Sequence, residues 1–575
     1  MTYRIVIIGI VAATLFAASA VPTSAQDAKA GLQAKIAGGL TSAGVYGRVY
    51  HKNSMEQIYD LFDSLGFDQV QRNRVIWRAG GDKGVTDLMA QAVKAGGKAG
   101  GAKLLADNKI DPENLLRAIC IECVTDPDRK GAQGAINRLK QNKLTDEMIN
   151  DTLDLPYTEW ALGDKPKGAL TGDITKIDGV DVLRLWGTPR QRGYAYGRLM
   201  CFSIMAMINK HLLSENVDGS LRDISYDGIT DLQYMRFDFD ETTLEEAKGM
   251  LQGMLDLLSD DERKLYKYKR GVKLADILAL QTTGEWVGMG CSTLAIGPGN
   301  SKLIGHNSDL VYDENGEILK RPIWLVIFPD KKTEKGLQPY AALVAPGQLA
   351  GYCAFNKAGG FAMVQDGDGD NTDKVCCRVR TQLIRRVLEK NNNAQKLADE
   401  MNAALAGQRF RRGAIVVAGG KRGRTVVFEA DGDLRDNKGV EFRLSSPEAG
   451  KNGLSATNHF VTRKREERDA AIEKARAAKA YDPPAWYEFS NTRLTALNDA
   501  AAGDKNVDTV DGMFAALKTA ELLARDNSAT MHAYVIEPEE NRVHVKIARD
   551  RTGGAHTQAA STVSFERLFT PREEK

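Results

Sequence analysis

Beyond its first residues the chain has no apolar run long enough to cross a membrane, for which about 20 residues are needed. The nearest, Met200 to Met207, is ended by Asn209, Lys210 and His211. Charge of one sign is also missing. Lys and Arg number 78 against 76 Asp and Glu, a formal net charge of +2, and no basic block is interleaved with aromatics. Nucleic acid is therefore not an expected partner. There is no Gly-x-Ser-x-Gly elbow and no His-Glu-x-x-His, so serine-hydrolase and zinc-protease readings lack their motif. Ala95 to Ala102 is glycine-rich but lacks the Lys-Ser/Thr ending of a phosphate loop, and no nucleotide site is read there. No cofactor is expected.

What is present is the composition of a globular protein, 43% hydrophobic and 27% charged, in a chain of 575 residues. That length suggests two or three domains. The start reads as an export signal. Arg4 is positive, Ile5 to Ala17 is apolar, and Thr23-Ser24-Ala25 offers a cleavage site before Gln26, with Ala18-Ser19-Ala20 as a second. The expectation is a secreted or periplasmic protein with no membrane span beyond the signal. Export brings an oxidising compartment, and the seven cysteines are Cys120, Cys123, Cys201, Cys291, Cys353, Cys376 and Cys377. An odd count leaves at least one unpaired, with Cys291 the candidate. The other six could form up to three bridges in about 15 connectivities. Cys120 and Cys123 form a lone C-x-x-C, read as a local disulfide or free thiols before zinc.

From Gln26 to about residue 170 the pattern is helical, and no catalytic constellation is found. Gly179 to Trp186 alternates like a strand. Thr188-Pro189 reads as N-cap and first residue of a helix to about Leu213, with Gly193 and Gly197 on one face where another backbone could approach. Helical segments continue to Leu280. After Cys291 the pattern turns to strands: Ile323 to Phe328, Tyr340 to Val344, Tyr352 to Phe355, Gly360 to Val364, Ala414 to Ala418 and Thr425 to Glu429. Helices are expected near 379–388, 394–405, 463 onward and Met513, and a hairpin turns at Pro538. Sheets covered by helices in layers follow from this order.

The chemistry is placed at Gly290-Cys291-Ser292-Thr293, where a cysteine opens an apolar strand. A cysteine is nucleophilic as thiolate, and an ordinary pKa of about 8.5 leaves it protonated at neutral pH. A base is needed. His306, His459 and His532 are available for a Cys–His pair. The alternative is peptide cleavage before Cys291, which frees an α-amine titrating near 8 to take the thiol proton. Gly290 would suit the unusual backbone geometry such a cleavage asks for. Asp366, Asp368, Asp370 and Asp373 invite a calcium reading, but Cys377 stands where a glutamate would close the loop, so a solvated loop is expected.

Gly290 to Thr293, Gly305-His306-Asn307-Ser308-Asp309, Asn356 to Gly360 and Ala456-Thr457-Asn458-His459-Phe460 together resemble the C45 peptidases, autoproteolytic acyltransferases and hydrolases of the N-terminal nucleophile (Ntn) superfamily. Leu185 to Leu199 is similar to the family's opening and Met531 to Ile547 to its final hairpin, so the resemblance spans about residues 175–550. It implies an α+β fold, an αββα Ntn-hydrolase sandwich, here with an added N-terminal helical region. The implied divisions are a signal at 1–25, helices at 26–170, the rest of an α subunit at 171–290 and a catalytic β subunit at 291–575. Cys291 would be the nucleophile of self-cleavage and turnover, Gly290 the donor of the scissile carbonyl, and Asp309 the holder of the free amine. Asn458 would serve the oxyanion, with the backbone near 365–367 as second donor and Arg493 as the downstream arginine. The implied substrate is a small acyl amide, and the two fragments of the precursor would remain partners. His306 stands where the family often has arginine.

Each residue has a plainer alternative. Asp309 could cap a turn or pair with Lys320 or Arg321, Arg493 could be a helix-surface charge, and His459 a packing neighbour. The His306-Asn307 pair also resembles the phospholipase B-like Ntn proteins, and a non-catalytic secreted binding protein is the third reading.

Overall fold

The computed structural model describes residues 165–214, 237–267, 270–286, 290–297, 302–311, 316, 318, 321–370, 377–406, 408, 410–430, 441–443, 453–462, 483–503, 506–521, 528–549 and 554–570. The export signal, the helices expected before residue 165, the Cys120–Cys123 pair, Cys376 and the helix from Arg463 lie outside the described residues. Two compact units are distinguished, 1–164 with 231–240, and 165–230 with 241–575. The second contains Cys291 and both large sheets.

Its first strands are β1 (Gly172–Ile177) and β2 (Val180–Leu185), followed by helices α1 (Pro189–Ala206), α2 (Glu241–Leu255) and α3 (Leu274–Trp286). Thr188 caps α1 as the Thr-Pro pair predicts, accepting from Gln191 N while the Gln191 side chain accepts from Thr188 N. The helix proper ends at Ala206, and a π turn carries it to Leu212. The glycine face of α1 does what its spacing suggests. A Cβ on Gly193 would stand 1.9 Å from the Glu246 carbonyl oxygen, and one on Gly197 2.0 Å from that of Met250. Gly249 and Gly253 of α2 return the fit against Arg190 and Tyr194.

Strands β3 (Gly290–Ile296) and β4 (Leu303–Val311) form a hairpin, then come β5 (Ile323–Ile327), β6 (Tyr340–Val344), β7 (Cys353–Asn356) and β8 (Gly360–Asp370). Helices α4 (Arg380–Lys390) and α5 (Leu397–Leu405) precede β9 (Arg412–Gly420), β10 (Val426–Ala430), β11 (Glu441–Arg443) and β12 (Gly453–Ala456). The chain closes with α6 (Pro483–Gly503), α7 (Val510–Thr519), β13 (Ser528–Glu537), β14 (Arg542–Ile547), β15 (Ser561–Ser564) and the short α8 (Phe565–Phe569).

Nine strands join in the order β1-β2-β5-β6-β7-β8-β9-β10-β11, parallel between β2 and β5 and antiparallel elsewhere. Six join as β12-β3-β4-β13-β14-β15, all antiparallel. One apolar core lies between the sheets, with Trp324, Phe355, Met363 and Val417 from the first and Ala295, Ile304, Tyr534 and Val545 from the second. α6 and α7 cover the other face of the six-stranded sheet, sharing a core with Leu294, Ile296, Leu303 and Val535. α4 lies on β7 and β8, and α5 on β9 and β10. Helix, sheet, sheet, helix is the αββα sandwich. Both sheets are covered, which is why strands such as Ile323–Ile327 read as unbroken apolar runs.

The halves on either side of Cys291 are less distinct than the texture suggests. β1 and β2 precede Cys291, yet they extend the nine-stranded sheet through pairing with β5. Among the described residues no helix is long and apolar enough to cross a membrane, and no group of three His, Cys, Asp or Glu is placed to hold a metal.

Candidate active site

Cys291 is the second residue of β3 and is fully buried. Strand alternation sorts its neighbours. Ala295 and Ile304 belong to the core between the sheets, whereas Leu294, Ile296 and Leu303 face the helices. Cys291 and Thr293 therefore point between the sheets, beside Ser308 and His306, their register partners on β4. Gly290, paired with Asp309, lies toward the helix layer. The side chains of Cys291 and Asp309 thus project from opposite faces of one sheet.

The nitrogen side holds a buried polar network. Cys291 N–H donates to Asn458 Oδ1 at 2.8 Å. Arg493, from α6, donates through Nη2 to the same oxygen at 2.6 Å and through Nη1 to Asp309 Oδ2 at 2.8 Å. Thr530 Oγ1 donates to Asp309 Oδ1 at 2.6 Å. Asn458 is held behind by its own N–H on Ser490 Oγ at 2.8 Å and by Nδ2 on the Asp366 carbonyl at 2.9 Å. Two donors on one end and a carbonyl on the other set which way its amide points.

Thr530 enters this network through a bulge. β13 pairs Thr530 with Asp309 but His532 with Ser308, so Met531 is the extra residue and Thr530 turns to the helix-side face. Gly290 is not among the residues with positive φ, which corrects the expectation of unusual backbone geometry there. Its value is space: a Cβ would lie 3.2 Å from Asp309 Oδ2 and 3.7 Å from Arg493 Nη1.

Burial works against charge on both members of the ion pair. It pushes the Asp309 carboxyl up to about 6 against the pull of Arg493 and Thr530. It also brings Arg493 below its ordinary value. Burial, with Asp309 and Asp366 adding to it, holds the Cys291 thiol well above its usual value, and the Asp309 backbone N–H and Arg493 act the other way. In this environment the cysteine is kept as a thiol.

Of the residues singled out in the sequence, Cys291, Gly290, Asp309, Asn458 and Arg493 come together. Asp309 pairs with Arg493 instead of Arg321, Lys320 lies outside the described residues, and Arg493 is 4% exposed, so it is no surface charge. His306 lies on the inter-sheet face, as the Cys291 side chain does, and outside the network at the Cys291 nitrogen. Its Nδ1 shares a hydrogen bond with Thr293 Oγ1 at 2.8 Å, its Nε2 has no partner, and burial lowers its pKa to about 3. A neutral imidazole there supplies none of the positive charge an arginine would. His459 is held by Ser490 Oγ at 2.8 Å, and His532, lowered to about 4 chiefly by burial, lies 3.2 Å from the Tyr534 hydroxyl. Asn307 bonds Ser292, Leu517 and His556, a structural role.

Asp366 departs from the solvated-loop expectation: it is buried within β8, just ahead of a register shift, and paired with Arg380 at 2.6 Å. Cys201, Cys291 and Cys353 are buried, unbridged thiols, which removes the three-disulfide arrangement. Thr530, Ser490 and Arg380 were missed. Thr530 lies one residue before the stretch that resembles the family's last hairpin, and nothing local marked the other two.

On the inter-sheet side a mostly apolar pocket is lined by Ser308, the register partner of Cys291, with Leu310, Leu343, Tyr352, Met531, His532 and Tyr534, among others.

No protein-family model matches the chain, and no curated protein matches it in sequence. Solved structures do. A Caenorhabditis elegans ortholog of N-acylethanolamine-hydrolyzing acid amidase aligns over 43% of this chain and 93% of its own, with 13% identity and a TM-score of 0.29. A mutant of the conjugated bile acid hydrolase from Clostridium perfringens aligns over 50% of this chain and 100% of its own, at 8% identity and a TM-score of 0.30. Penicillin V acylase from Agrobacterium tumefaciens aligns over 45% and 83%, at 12% and 0.26.

Proposed function

We infer that the protein is an exported, self-processing Ntn hydrolase that cuts its own chain between Gly290 and Cys291 and then uses Cys291 to hydrolyse or transfer acyl groups from amides. The observation that carries this is the buried network beside the backbone nitrogen of Cys291, in which Asn458 accepts its N–H and is joined through Arg493 to Asp309 and Thr530. A strand N–H needs one acceptor, whereas a buried ion pair is costly to assemble and is weak evidence of stability. Such a site is suited to a nitrogen that changes its chemistry.

In the self-cleavage step the Cys291 sulfur adds to the Gly290 carbonyl carbon. The thiol proton passes to the Cys291 nitrogen as the C–N bond breaks, leaving a thioester. Water then cleaves the thioester, giving a Gly290 carboxylate and a Cys291 with free thiol and free amine. The amine supplies the base that the site otherwise lacks, since burial lowers His306 to about 3 and His532 to about 4, and His459 is held by Ser490. In turnover the amine takes the thiol proton and the thiolate attacks the acyl carbonyl. The leaving amine departs protonated, and water or another amine resolves the acyl-enzyme. Asn458 serves as oxyanion donor and Asp309 holds the ammonium form of the new terminus.

Mass measurement of the purified protein under reducing, denaturing conditions tests this. Two chains are expected, one beginning at Cys291, and Cys291→Ala stays whole. An intact wild type that still hydrolyses N-acyl amides would overturn self-activation and restore a Cys–His mechanism.

A further inference from the structure

Helix α3 ends just ahead of the proposed cut, and its last turn is bound to residues that follow the cut. Glu285 is buried and receives Arg380 N at 3.0 Å, with Arg380 Nε at 3.1 and 3.0 Å from its two carboxylate oxygens. Arg380 Nη2 donates to the Gly284 carbonyl at 3.0 Å and Arg411 Nε to the Glu285 carbonyl at 3.0 Å. Carbonyls of a final helical turn lack partners within the helix and favour cations. The other end of the same guanidinium reaches Asp366 Oδ1 at 2.6 Å and the Gly413 carbonyl at 3.3 Å. The Asp366 carbonyl holds Asn458, and Asn458 holds the Cys291 N–H. A planar fork with five donors can join two carboxylates and several carbonyls in this way, which an ammonium cannot.

We propose that Arg380 is a positioning residue for self-cleavage: it locks the segment ahead of the cut, through Glu285, to the Asp366–Asn458 support that aligns Cys291. This rests on the reading of Cys291 as a self-released nucleophile. The tie crosses the cut, so it also binds the two fragments afterwards.

Arg380 has a second consequence at the thiol. Burial first, then the charges of Asp309 and Asp366, raise the pKa of the Cys291 thiol, the Asp309 backbone N–H and Arg493 oppose them, and Tyr352 and Tyr534 are further ionisable neighbours. Arg380 offsets the Asp366 charge, with Arg412 more distant at 3.9 Å. Removing Arg380 therefore loosens the alignment and also makes the thiol harder to ionise.

The full chain is made in a short cell-free synthesis pulse, and conversion to fragments is followed by gel and mass between about pH 6 and 9. Arg380→Gln is expected to slow conversion about 10- to 100-fold and to move its pH dependence to higher pH. Adding Asp366→Asn returns the pH dependence but not the rate. Arg380→Lys keeps the pH dependence near wild type while still slowing conversion, and Glu285→Gln slows it without moving the pH dependence upward. If Arg380→Gln does not fold, the last two variants carry the test. Soluble variants converting at the wild-type rate with the wild-type pH dependence would overturn the clamp. A wild type that is never cut would instead overturn the nucleophile reading on which the clamp rests.

Discussion

Replacing Arg493 by methionine in a Cys291→Ala chain removes one partner of a buried ion pair while keeping much of the side chain's volume. Asp309 is fully buried, and its carboxyl stands at about 6 instead of 3.8 even with Arg493 in place. For a carboxyl raised in the folded state, the unfolded chain gives up its proton first as pH rises. Stability from Asp309 is therefore complete below 3.8 and is lost by the time pH passes 6, a cost of about 3 kcal/mol. Without Arg493 the carboxyl rises further, so the cost extends to higher pH. Removing one member of a buried pair costs about 3–5 kcal/mol, part of which is the charged hydrogen bond lost from Asn458 Oδ1. Urea unfolding at about pH 5 and pH 8 reads this directly. The loss in Arg493→Met should be about 3–5 kcal/mol at the higher pH and roughly half that at the lower, where Asp309 is largely protonated in both chains. Adding Asp309→Asn should recover about half the loss at the higher pH, since no buried charge is then stranded. A deficit of equal size at both pH values, unrelieved by Asp309→Asn, would refute the assignment of this pair as the electrostatic centre of the site.

Two further outcomes follow from the glycines. Gly290→Ala places a methyl 3.2 Å from a carboxylate oxygen already fixed by Arg493 and Thr530, so self-cleavage timed by mass should slow about tenfold while the thermal midpoint moves little. An unchanged rate would mean that Asp309 can give way. Gly193→Ala sets a methyl 1.9 Å from backbone, so α1 and α2 must separate; a loss of about 1–3 kcal/mol or more is expected in thermal unfolding, and an unaltered midpoint would contradict the close packing.

Local elements were legible because their causes lie within a few residues. The Thr188-Pro189 cap, the paired glycines of α1 and the unbroken apolar strands each carry a physical signature of short range. Cys291, Asp309 and Asn458 could be named from the order of their motifs, but not their faces. Gly290 was read for its backbone and matters for its missing side chain. Asp366 was read as solvated because a run of acidic residues gives no sign of an arginine arriving from the next helix.

The sequence by itself determined the layered α+β class and most strand and helix positions, written in periodicity and capping residues, and its motifs singled out Cys291 as the candidate nucleophile. Tertiary structure decided the site. Its bonds join residues 167, 184 and 221 positions apart, distances over which no local pattern extends. A single bulge at Met531 turned Thr530 toward Asp309, and strand register placed His306 on the face away from Asp309, the one the Cys291 side chain takes. Pairing register and burial are properties of the folded sheet, and they made a polar cluster out of residues that are ordinary in isolation.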